Sequence, residues 1–354
     1  MSAAARREGW LDGLRIFAAF LVIVNHTNSY VFKAASPEQA EWWLSIALYY
    51  LSKIAVPLFV MISGACLLPK QDGWRAVGRR ALRMLLVLLL FSYGYYAYDA
   101  WVNWGLWPRL ANVGAFLTLV WTQQITDSFW YLYFYLGLLA MLPFLQRLAQ
   151  ALRRRELLCL ISACFLLDGL WPLAAHYAPA LALPSYFQAP LFTVYAGLFF
   201  AGYWIRGLKA PSRGQMLGAG LGLAASLAVS VALTRVEYGL VVPGEKYWFM
   251  DDRLHPALPT LLAAICAMLL FKGWLARPLG ERLSRALTEL GGCAFGIYLV
   301  QDWLIAQSRY RLFEPLRGVL PAFLSALLWE IAVFAAALVI AWLLKRVPGL
   351  KKLL

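Results

Sequence analysis

Long apolar stretches recur along almost the whole chain and are separated by short polar loops. A helix of about 18 to 25 apolar residues is long enough to cross the hydrocarbon core of a bilayer. Ten stretches of this kind lie at 10–32, 43–68, 82–103, 128–146, 156–175, 188–206, 214–235, 257–275, 288–309 and 320–344. The pattern therefore predicts an all-α, polytopic membrane protein with about ten transmembrane helices.

The composition supports a membrane protein. Hydrophobic residues make up 62% of the 354 positions and charged residues 14%, against roughly 25% charged residues in soluble domains. A water-soluble globular enzyme is thereby excluded. The formal charge of +14 would suggest nucleic acid as the partner of a soluble protein. Here the basic residues lie mostly in the short loops, so we expect the lipid bilayer, and no nucleic acid, as a partner.

The basic residues are unequally divided between alternate loops. Of the 32 Lys and Arg residues, 22 fall in one set of loops and at the termini, whereas 8 fall in the opposite set. Because Lys and Arg accumulate on the cytoplasmic side of a membrane, both termini are predicted to be cytoplasmic. The five cysteines lie within apolar segments and form no CxxC pair, so we expect them to be buried apolar side chains.

Two segments are longer and more polar than the other loops. Residues 104–127 combine polar side chains with a short apolar core, which favours an interfacial or re-entrant segment. Residues 236–256 form the longest predicted outer loop and are expected to be part of a lid. No stretch is long enough for a soluble domain. We therefore expect residues 1–354 to form one integral-membrane domain without an appended soluble domain.

The first helix has the most ionisable side chains, and each of them costs a few kcal/mol or more within a bilayer. Arg15 and His26 are eleven residues apart, which is close to three full helical turns. They therefore share one face of the helix at depths that differ by roughly 16 Å. Asp12 lies three residues before Arg15 and can pair with it.

This face has two interpretations. A fixed cation with a titratable base deeper in the membrane suits a molecule that enters from the cytoplasm and reacts at its far end. His26 would then be a general base, because histidine titrates near neutral pH. Alternatively, Asp12 and Arg15 form an interfacial ion pair and His26 only hydrogen-bonds a neighbouring helix. The spacing alone leaves both interpretations open.

Several short motifs follow one another in a recognisable order. They are LDGLR at 11–15 with His26, VPLFVMISG at 56–64, RRALR at 79–83, FWYL at 129–132, YAGLFFAGY at 195–203 and FGIYL at 295–299. Together they resemble the motifs of the membrane acyltransferase-3 family, the OatA-like and WecH-like O-acetyltransferases, in which an arginine and a histidine with this spacing are the defining feature. The resemblance covers nearly the whole chain.

The resemblance implies an acyltransferase of the bacterial inner membrane. Its co-substrate would be cytoplasmic acyl-CoA, usually acetyl-CoA, with no permanently bound cofactor, and its acceptor a hydroxyl of a cell-surface glycan or lipid-linked saccharide. His26, Arg15 and Asp12 would be the catalytic residues. Some relatives have an appended extracytoplasmic domain, which is not expected here. Transfer would then be direct or would pass through a separate extracytoplasmic acyl-handling protein.

The same resemblance gives expectations for the donor site. Arg79, Arg80 and Arg83 lie at the predicted cytoplasmic start of the third helix. They are expected to bind the phosphates of CoA, because arginine matches phosphate geometry with two parallel hydrogen bonds. The alternative is that these arginines only reflect the positive-inside bias of the loops.

The acceptor site is expected at the other end of the helices. Trp130 and Tyr133, with Asp127 beside them, are predicted near the outer surface, where aromatic rings stack on sugars but also populate membrane interfaces. Tyr298, Gln301 and Asp302 are predicted to contribute as well.

The chain departs from the family pattern in two places, at Ser128 and at the pair Gln301-Asp302. Many members have His at the position of Ser128 and His-Pro at the positions of Gln301 and Asp302. Glutamine cannot shuttle a proton. Asp302 is predicted either to line the acceptor site or to pair with Lys53 or Arg309. No metal site is expected, since His176 and His255 have no ligand partners at metal-like spacing.

Two other classes of function fit the same general pattern. A secondary transporter or exporter of a glycan or small molecule would also need about ten helices, buried charges and outer aromatic residues. A non-catalytic partner in glycan export would not need His26. Inverted repeats would favour a transporter, and none is visible in the sequence.

Overall fold

The computed structural model describes residues 8–102, 112–184, 193–238, 256–275 and 280–354, and every regular element in these ranges is helical. The α-helices are α1 (Gly9–Thr27), α2 (Ser29–Phe32), α3 (Ala40–Ser52), α4 (Ala55–Leu67), α5 (Trp74–Val102), α6 (Val113–Thr122), α7 (Trp130–Ala151), α8 (Arg154–Phe165), α9 (Trp171–Tyr177), α10 (Val194–Arg206), α11 (Arg213–Tyr238), α12 (Leu258–Trp274), α13 (Glu281–Gly291), α14 (Ala294–Ser308), α15 (Glu314–Arg317) and α16 (Ala322–Leu344). Turns of 3₁₀ helix lie at Asp127–Phe129, Pro179–Leu181 and Leu350–Lys352, and π-helical segments at Leu166–Leu170 and Arg309–Phe313. The predicted all-α class is confirmed.

Seven helical stretches of the described ranges are long and apolar enough to cross a bilayer. They are Gly9–Phe32, Ala40–Leu67, Trp74–Val102, Asp127–Ala151, Arg154–Tyr177, Arg213–Tyr238 and Ala322–Leu344. These coincide with seven of the ten predicted spans. The other three predicted spans contain α10, α12 and α14, which have 13, 17 and 15 residues. The chain is thus a multi-pass membrane protein, while the count of ten and the cytoplasmic termini stay predictions.

The two long polar segments are described only in part. α6 has ten residues, which is too short to cross a bilayer. This length agrees with an interfacial or re-entrant segment. The beginning of that segment, at 104–111, lies outside the described residues, as do positions 239–255 of the predicted lid.

α4 and α10 cross with their backbones in direct contact. A Cβ atom on Gly64 of α4 would lie 1.8 Å from the carbonyl oxygen of Phe199, and one on Gly202 of α10 would lie 1.8 Å from that of Met61. Neither position has space for a side chain, so the contact itself requires both glycines. Close approach at small residues is a main source of helix association within lipid, because lipid tails are as apolar as side chains.

A buried lysine closes the end of α10. The Lys272 ammonium group, from α12, donates to three carbonyl oxygens at this helix end at 2.5, 2.7 and 2.9 Å. These bonds use all three N–H donors of the ammonium and supply partners that a helix C-terminus lacks. Arg206, the last residue of α10, donates to Glu8 at 2.8 Å and to the Ala65 carbonyl at 2.6 Å. α10 is thereby tied to α12, α4 and the start of α1.

A buried carboxyl group from α16 fixes the end of α1. Glu330 is fully buried, and its Oε1 atom accepts hydrogen bonds from Thr27 Oγ1 at 2.8 Å and from Asn28 Nδ2 at 3.4 Å. The Asn28 side chain accepts a further hydrogen bond from Ser45 Oγ of α3 at 2.6 Å. Three helices therefore meet directly after His26, which precedes Thr27 in the chain.

We expect Gly202→Ala to disrupt the packing of α4 on α10, because the added methyl group overlaps the Met61 carbonyl. The change should destabilise the protein by more than about 3 kcal/mol, the upper end of ordinary overpacking. The measurement is the apparent melting temperature in detergent. Gly220→Ala is the matched control, since Gly220 lies in α11 with no atom within 4 Å of an added Cβ. Equal melting temperatures of the two variants would contradict the contact.

Candidate functional site

A cavity of about 1480 Å³ opens between α1, α3, α4, α5, α7 and α10. Arg15, Val22 and His26 of α1 all line it. The face that the sequence spacing predicts is therefore present and points into this cavity. Sites for small molecules usually have volumes of about 300 to 1,000 Å³, so the cavity has room for a large co-substrate.

The cavity has two ends, which we name by their residues. The arginine end is lined by Arg15, Arg80 and Arg83, and the aspartate end by Gln124, Asp127 and Trp130. α7 begins at the aspartate end, and Gln146 near its other end contacts Asp72, the partner of Arg80. The sixteen residues from Trp130 to Gln146 correspond to a rise of roughly 24 Å. Trp130 and Gln146 are therefore separated along α7 by most of the thickness of a bilayer core.

Arg15 is held by one residue on its own helix and one on α4. Its Nη1 atom donates to Asp12 Oδ1 at 2.5 Å, and its Nη2 atom lies 3.2 Å from Cys66 Sγ. Asp12 is fully buried and is not part of the cavity wall, whereas Cys66 lines it. The predicted pairing of Asp12 with Arg15 is thus present, and Asp12 reaches the cavity only through the arginine.

His26 lines the cavity and is partly exposed to it. Among the described residues, no hydrogen bond or ion pair involves its imidazole ring. The ring is placed by the helix end that Thr27, Asn28 and Glu330 fix. Its nitrogens are consequently available to a substrate, which does not agree with a purely structural hydrogen bond to a neighbouring helix.

The arginine end is organised by an acid outside the spans. Arg80 donates to both oxygens of Asp72, through Nη2 to Oδ1 at 3.0 Å and through Nη1 to Oδ2. Gln146 Nε2 donates to the same carboxylate at 3.0 Å. These bonds hold the Arg80 guanidinium in the cavity wall. Two of its five N–H donors are used, so others remain for a ligand.

Arg83 contacts the end of the chain. Its Nε and Nη2 atoms donate to the carbonyl oxygens of Leu353 and Leu354 at 2.8 and 3.0 Å. Both leucines also line the cavity. Arg79, the third predicted donor-binding arginine, does not line it. The structure therefore brings two of the three arginines into the cavity and leaves the third outside.

The aspartate end contains only some of the predicted acceptor-binding residues. Asp127, Trp130 and Tyr298 line the cavity. Tyr133 does not, because it faces α6 and its hydroxyl donates to the Val120 carbonyl at 2.7 Å. Tyr298 donates to the Ser128 carbonyl at 2.5 Å, which joins α14 to the start of α7.

Gln301 and Asp302 are not part of the cavity wall. Gln301 is fully buried and donates to Asp302 Oδ1 at 2.5 Å. The other Asp302 oxygen accepts hydrogen bonds from Thr126 Oγ1 at 2.7 Å and from Ser128 Oγ. The expected ion pair of Asp302 with Lys53 or Arg309 does not occur in the described ranges. Hydroxyl and amide donors bind the Asp302 carboxylate instead.

Sequence reasoning missed a hydroxyl cluster in the middle of the cavity. Tyr131 and Tyr135 stack with ring centroids 6.2 Å apart, and both line the cavity together with Ser63. Ser63 lies in the motif at 56–64 and Tyr131 in the motif at 129–132. The only signal was the helical spacing of four residues between the tyrosines, which aromatic packing explains equally well.

The expectation for the cysteines was partly wrong. Cys164 and Cys293 are buried, Cys66 and Cys266 are partly exposed, and Cys159 is exposed. Cys66 of α4 lines the cavity. Ser63, three residues before it in the same helix, also lines the cavity, as expected for residues that share one face of a helix.

Within the described ranges, no group of three or more His, Cys, Asp or Glu side chains lies close enough together to hold a metal ion.

Comparison with known families decides the class of this site. The family profile of the acyltransferase domain, Acyl_transf_3, matches residues 8–346. The chain belongs to the acyltransferase-3 family. Comparison with curated proteins and with solved structures gives no match. The membership supports a membrane acyltransferase activity for the cavity that Arg15 and His26 line.

The Asp72–Arg80 pair should give this acyltransferase-3 protein a pH-dependent stability term. The hydrogen bond from Arg80, more than that from Gln146, lowers the pKa of Asp72 from its ordinary value of 3.8. Because the pKa is lower in the folded state, the stabilisation is complete above about pH 4 and is lost as the pH falls through the lowered value.

We expect Asp72→Asn to lower the free energy of unfolding by about 1 kcal/mol. The loss should be equal at pH 7 and pH 5, and should shrink below pH 3. Denaturation of wild type and variant in detergent at these pH values is the measurement. A loss that differs between pH 5 and pH 7 would show that another titrating group is involved.

Proposed function

We propose that this protein is a membrane O-acyltransferase that moves an acyl group, acetyl in the first instance, from cytoplasmic acyl-CoA to a hydroxyl of a cell-surface glycan or lipid-linked saccharide. The observation that supports this most strongly is the placement of Arg15, His26, Arg80 and Arg83 around one cavity. A cationic end would hold an anionic co-substrate, and a base deeper in the same cavity would act on the acceptor. The bacterial inner membrane is the proposed location.

The donor would bind at the arginine end. The phosphates of CoA match the guanidinium groups of Arg80 and Arg83 in charge and geometry. They would replace the Leu353 and Leu354 carbonyls as partners of Arg83. The pantetheine arm, extended along α1, is on the order of the 16 Å rise from Arg15 to His26. The charged head group could thus remain at the membrane surface while the thioester reaches the base.

The proposed reaction is a direct transfer assisted by His26. The imidazole takes the proton of the acceptor hydroxyl, and the oxygen attacks the thioester carbonyl carbon. The tetrahedral intermediate collapses, the C–S bond breaks, and the leaving thiolate takes the proton back from the imidazolium. The products are the acyl ester and free CoA. Arg15, oriented by Asp12, would hold polar groups of the donor near the thioester.

The acceptor would enter from the aspartate end. Asp127 and Gln124 offer hydrogen bonds to sugar hydroxyls, and Trp130 offers a ring face for stacking. Since residues from both ends line one cavity, donor and acceptor could meet without a carrier. This favours direct transfer over transfer through a separate extracytoplasmic protein.

Replacing His26 tests the reaction. We expect His26→Ala to lower acyl transfer from radiolabelled acetyl-CoA to membranes by at least a hundredfold, in line with the usual contribution of a general base, without changing the apparent melting temperature. His176→Ala is the matched control, because His176 bonds Glu237 and is not part of the cavity wall. Near-normal transfer by His26→Ala would favour the transporter or assembly-partner interpretation.

The arginines test the donor site. We expect Arg83→Gln to raise the apparent KM for acetyl-CoA about tenfold, because one charge-assisted hydrogen bond of about 1.5 kcal/mol is lost. Arg79→Gln should leave this KM unchanged. Both substitutions remove one positive charge from the same turn of α5, but only Arg83 lines the cavity. Equal KM values for the two variants would assign both residues to the positive-inside bias.

A further inference from the structure

Asp302 lies in the middle of α14 and faces the segment that precedes α7. Its Oδ2 atom accepts hydrogen bonds from Thr126 Oγ1 at 2.7 Å and from Ser128 Oγ, and its Oδ1 atom accepts one from Gln301 Nε2 at 2.5 Å. No basic side chain of the described ranges forms an ion pair with this carboxylate. Asp302 is thus satisfied entirely by hydroxyl and amide donors, two of which belong to one short segment.

Tyr298 holds the same segment one helical turn away. Its hydroxyl donates to the Ser128 carbonyl at 2.5 Å. Residues four apart on a helix share a face, so Tyr298 and Asp302 together present one polar face of α14 to residues 126–128. The ring of Phe129, next in the chain, is fully buried and lies 5.4 Å from the Tyr95 ring. The segment is therefore attached to α14 by side chains and anchored by one aromatic residue.

The segment has little hydrogen bonding of its own. Between α6 and α7 it forms a single 3₁₀ turn, closed by the Phe129 N–H and the Thr126 carbonyl at 3.0 Å. Residues 124–130 nevertheless supply Gln124, Asp127, Ser128 and Trp130 to the cavity wall. The position of the aspartate end thus depends on the bonds from α14.

We propose that Asp302 is a positioning residue for acceptor binding: it fixes residues 124–130 so that Asp127 and Trp130 form one acceptor-binding wall. The proposal rests on the proposed function for what the wall binds, a saccharide hydroxyl. The attachment itself rests on the hydrogen bonds alone. Asp302 acts through Thr126 and Ser128 and does not touch the substrate.

The arrangement requires hydrogen-bond acceptors and no negative charge. Both hydroxyl groups bond the same oxygen, Oδ2, which the carbonyl oxygen of an asparagine side chain can replace. The Oε1 atom of Gln301 is buried without a partner in the described ranges. Rotation of the Gln301 amide would direct this oxygen at the new N–H₂ group. Asp302→Asn should therefore preserve the attachment, whereas Asp302→Leu, of similar size, should abolish it.

Measuring acyl-CoA hydrolysis beside acyl transfer distinguishes a defect at the aspartate end of the cavity from a defect at the arginine end. Water can replace the acceptor hydroxyl, so hydrolysis needs His26 and the arginine end but not the acceptor wall. Loss of the wall should therefore reduce transfer relative to hydrolysis. A defect of the whole fold would reduce both together and would lower the melting temperature.

The test combines hydrogen–deuterium exchange with an activity ratio on the full chain in lipid nanodiscs. We expect Asp302→Leu to raise the exchange rate of peptides covering 123–131 about tenfold, with exchange elsewhere unchanged. Asp302→Asn should raise it less than threefold. Thr122→Val is the control, because the Thr122 hydroxyl donates only to Thr118 of its own helix, at 2.8 Å. Thr126→Val combined with Asp302→Leu should add nothing to Asp302→Leu alone.

Activity is measured with radiolabelled acetyl-CoA as the donor and with membranes of the cells that produce the protein as the source of the acceptor. The ratio of label in membranes to free acetate should fall about tenfold in Asp302→Leu and stay within threefold of wild type in Asp302→Asn. Unchanged exchange in Asp302→Leu, or faster exchange with an unchanged ratio, would overturn the proposal. Equal losses in the Asn and Leu variants would also overturn it, since charge would then be required. Absence of any transfer by wild type would contradict the proposed function, while the exchange data would still decide the attachment.

Discussion

The backbone contacts of Gly64 with Phe199 and of Gly202 with Met61 set the distance between α4 and α10, and the cavity depends on that distance. Within lipid there is little hydrophobic gain from bringing two apolar helices together, so close backbone approach must supply much of the attraction. The same stretch of α4 supplies Ser63 and Cys66 to the cavity wall, and α10 supplies Tyr195. Because Cys66 also contacts Arg15, the crossing of α4 and α10 helps to place the cation on α1.

Several charged groups of the described residues are held by fixed partners. Asp12 holds Arg15, Asp72 holds Arg80, and backbone carbonyls hold Lys272. Such partners offset the cost of removing a charge from water, and they also fix the side chain before any ligand arrives. His26 differs, since no hydrogen bond to its ring occurs in the described part of the chain. In the proposed reaction this difference has a purpose, because a general base must be able to accept a proton from the substrate, whereas a phosphate-binding arginine benefits from being held in place.

Sequence periodicity predicted relations within one helix and failed for relations between helices. The shared face of Arg15 and His26 and the pairing of Asp12 with Arg15 follow from 3.6 residues per turn. Arg79 and Arg80 are adjacent in sequence and point about 100° apart, so only the packing of α5 decides which of them reaches the cavity. Asp302 was expected in the cavity wall. Its place on α14 was predicted correctly, but the periodicity of one helix does not show which neighbouring segment faces this side chain. Hydropathy likewise showed the apolar stretch at 288–309 but not the helix bounds, because this stretch begins within α13, which ends at Gly291, and α14 begins only at Ala294.

The position of the arginines also explains how the site remains stable without a ligand. Each of the two guanidinium groups has hydrogen-bond acceptors within the protein. For Arg83 they are the main-chain oxygens of Leu353 and Leu354, and both leucines line that end of the cavity. A phosphate would compete for the guanidinium more strongly than the neutral Leu353 carbonyl does, because both partners of the hydrogen bond then carry a charge. The Asp72 carboxylate is a stronger competitor, so Arg80 should remain attached to Asp72 and offer only its remaining N–H groups. In the proposed function the two arginines would therefore divide the work: Arg80 would stay fixed and orient the phosphates, and Arg83 would exchange its main-chain partners for them.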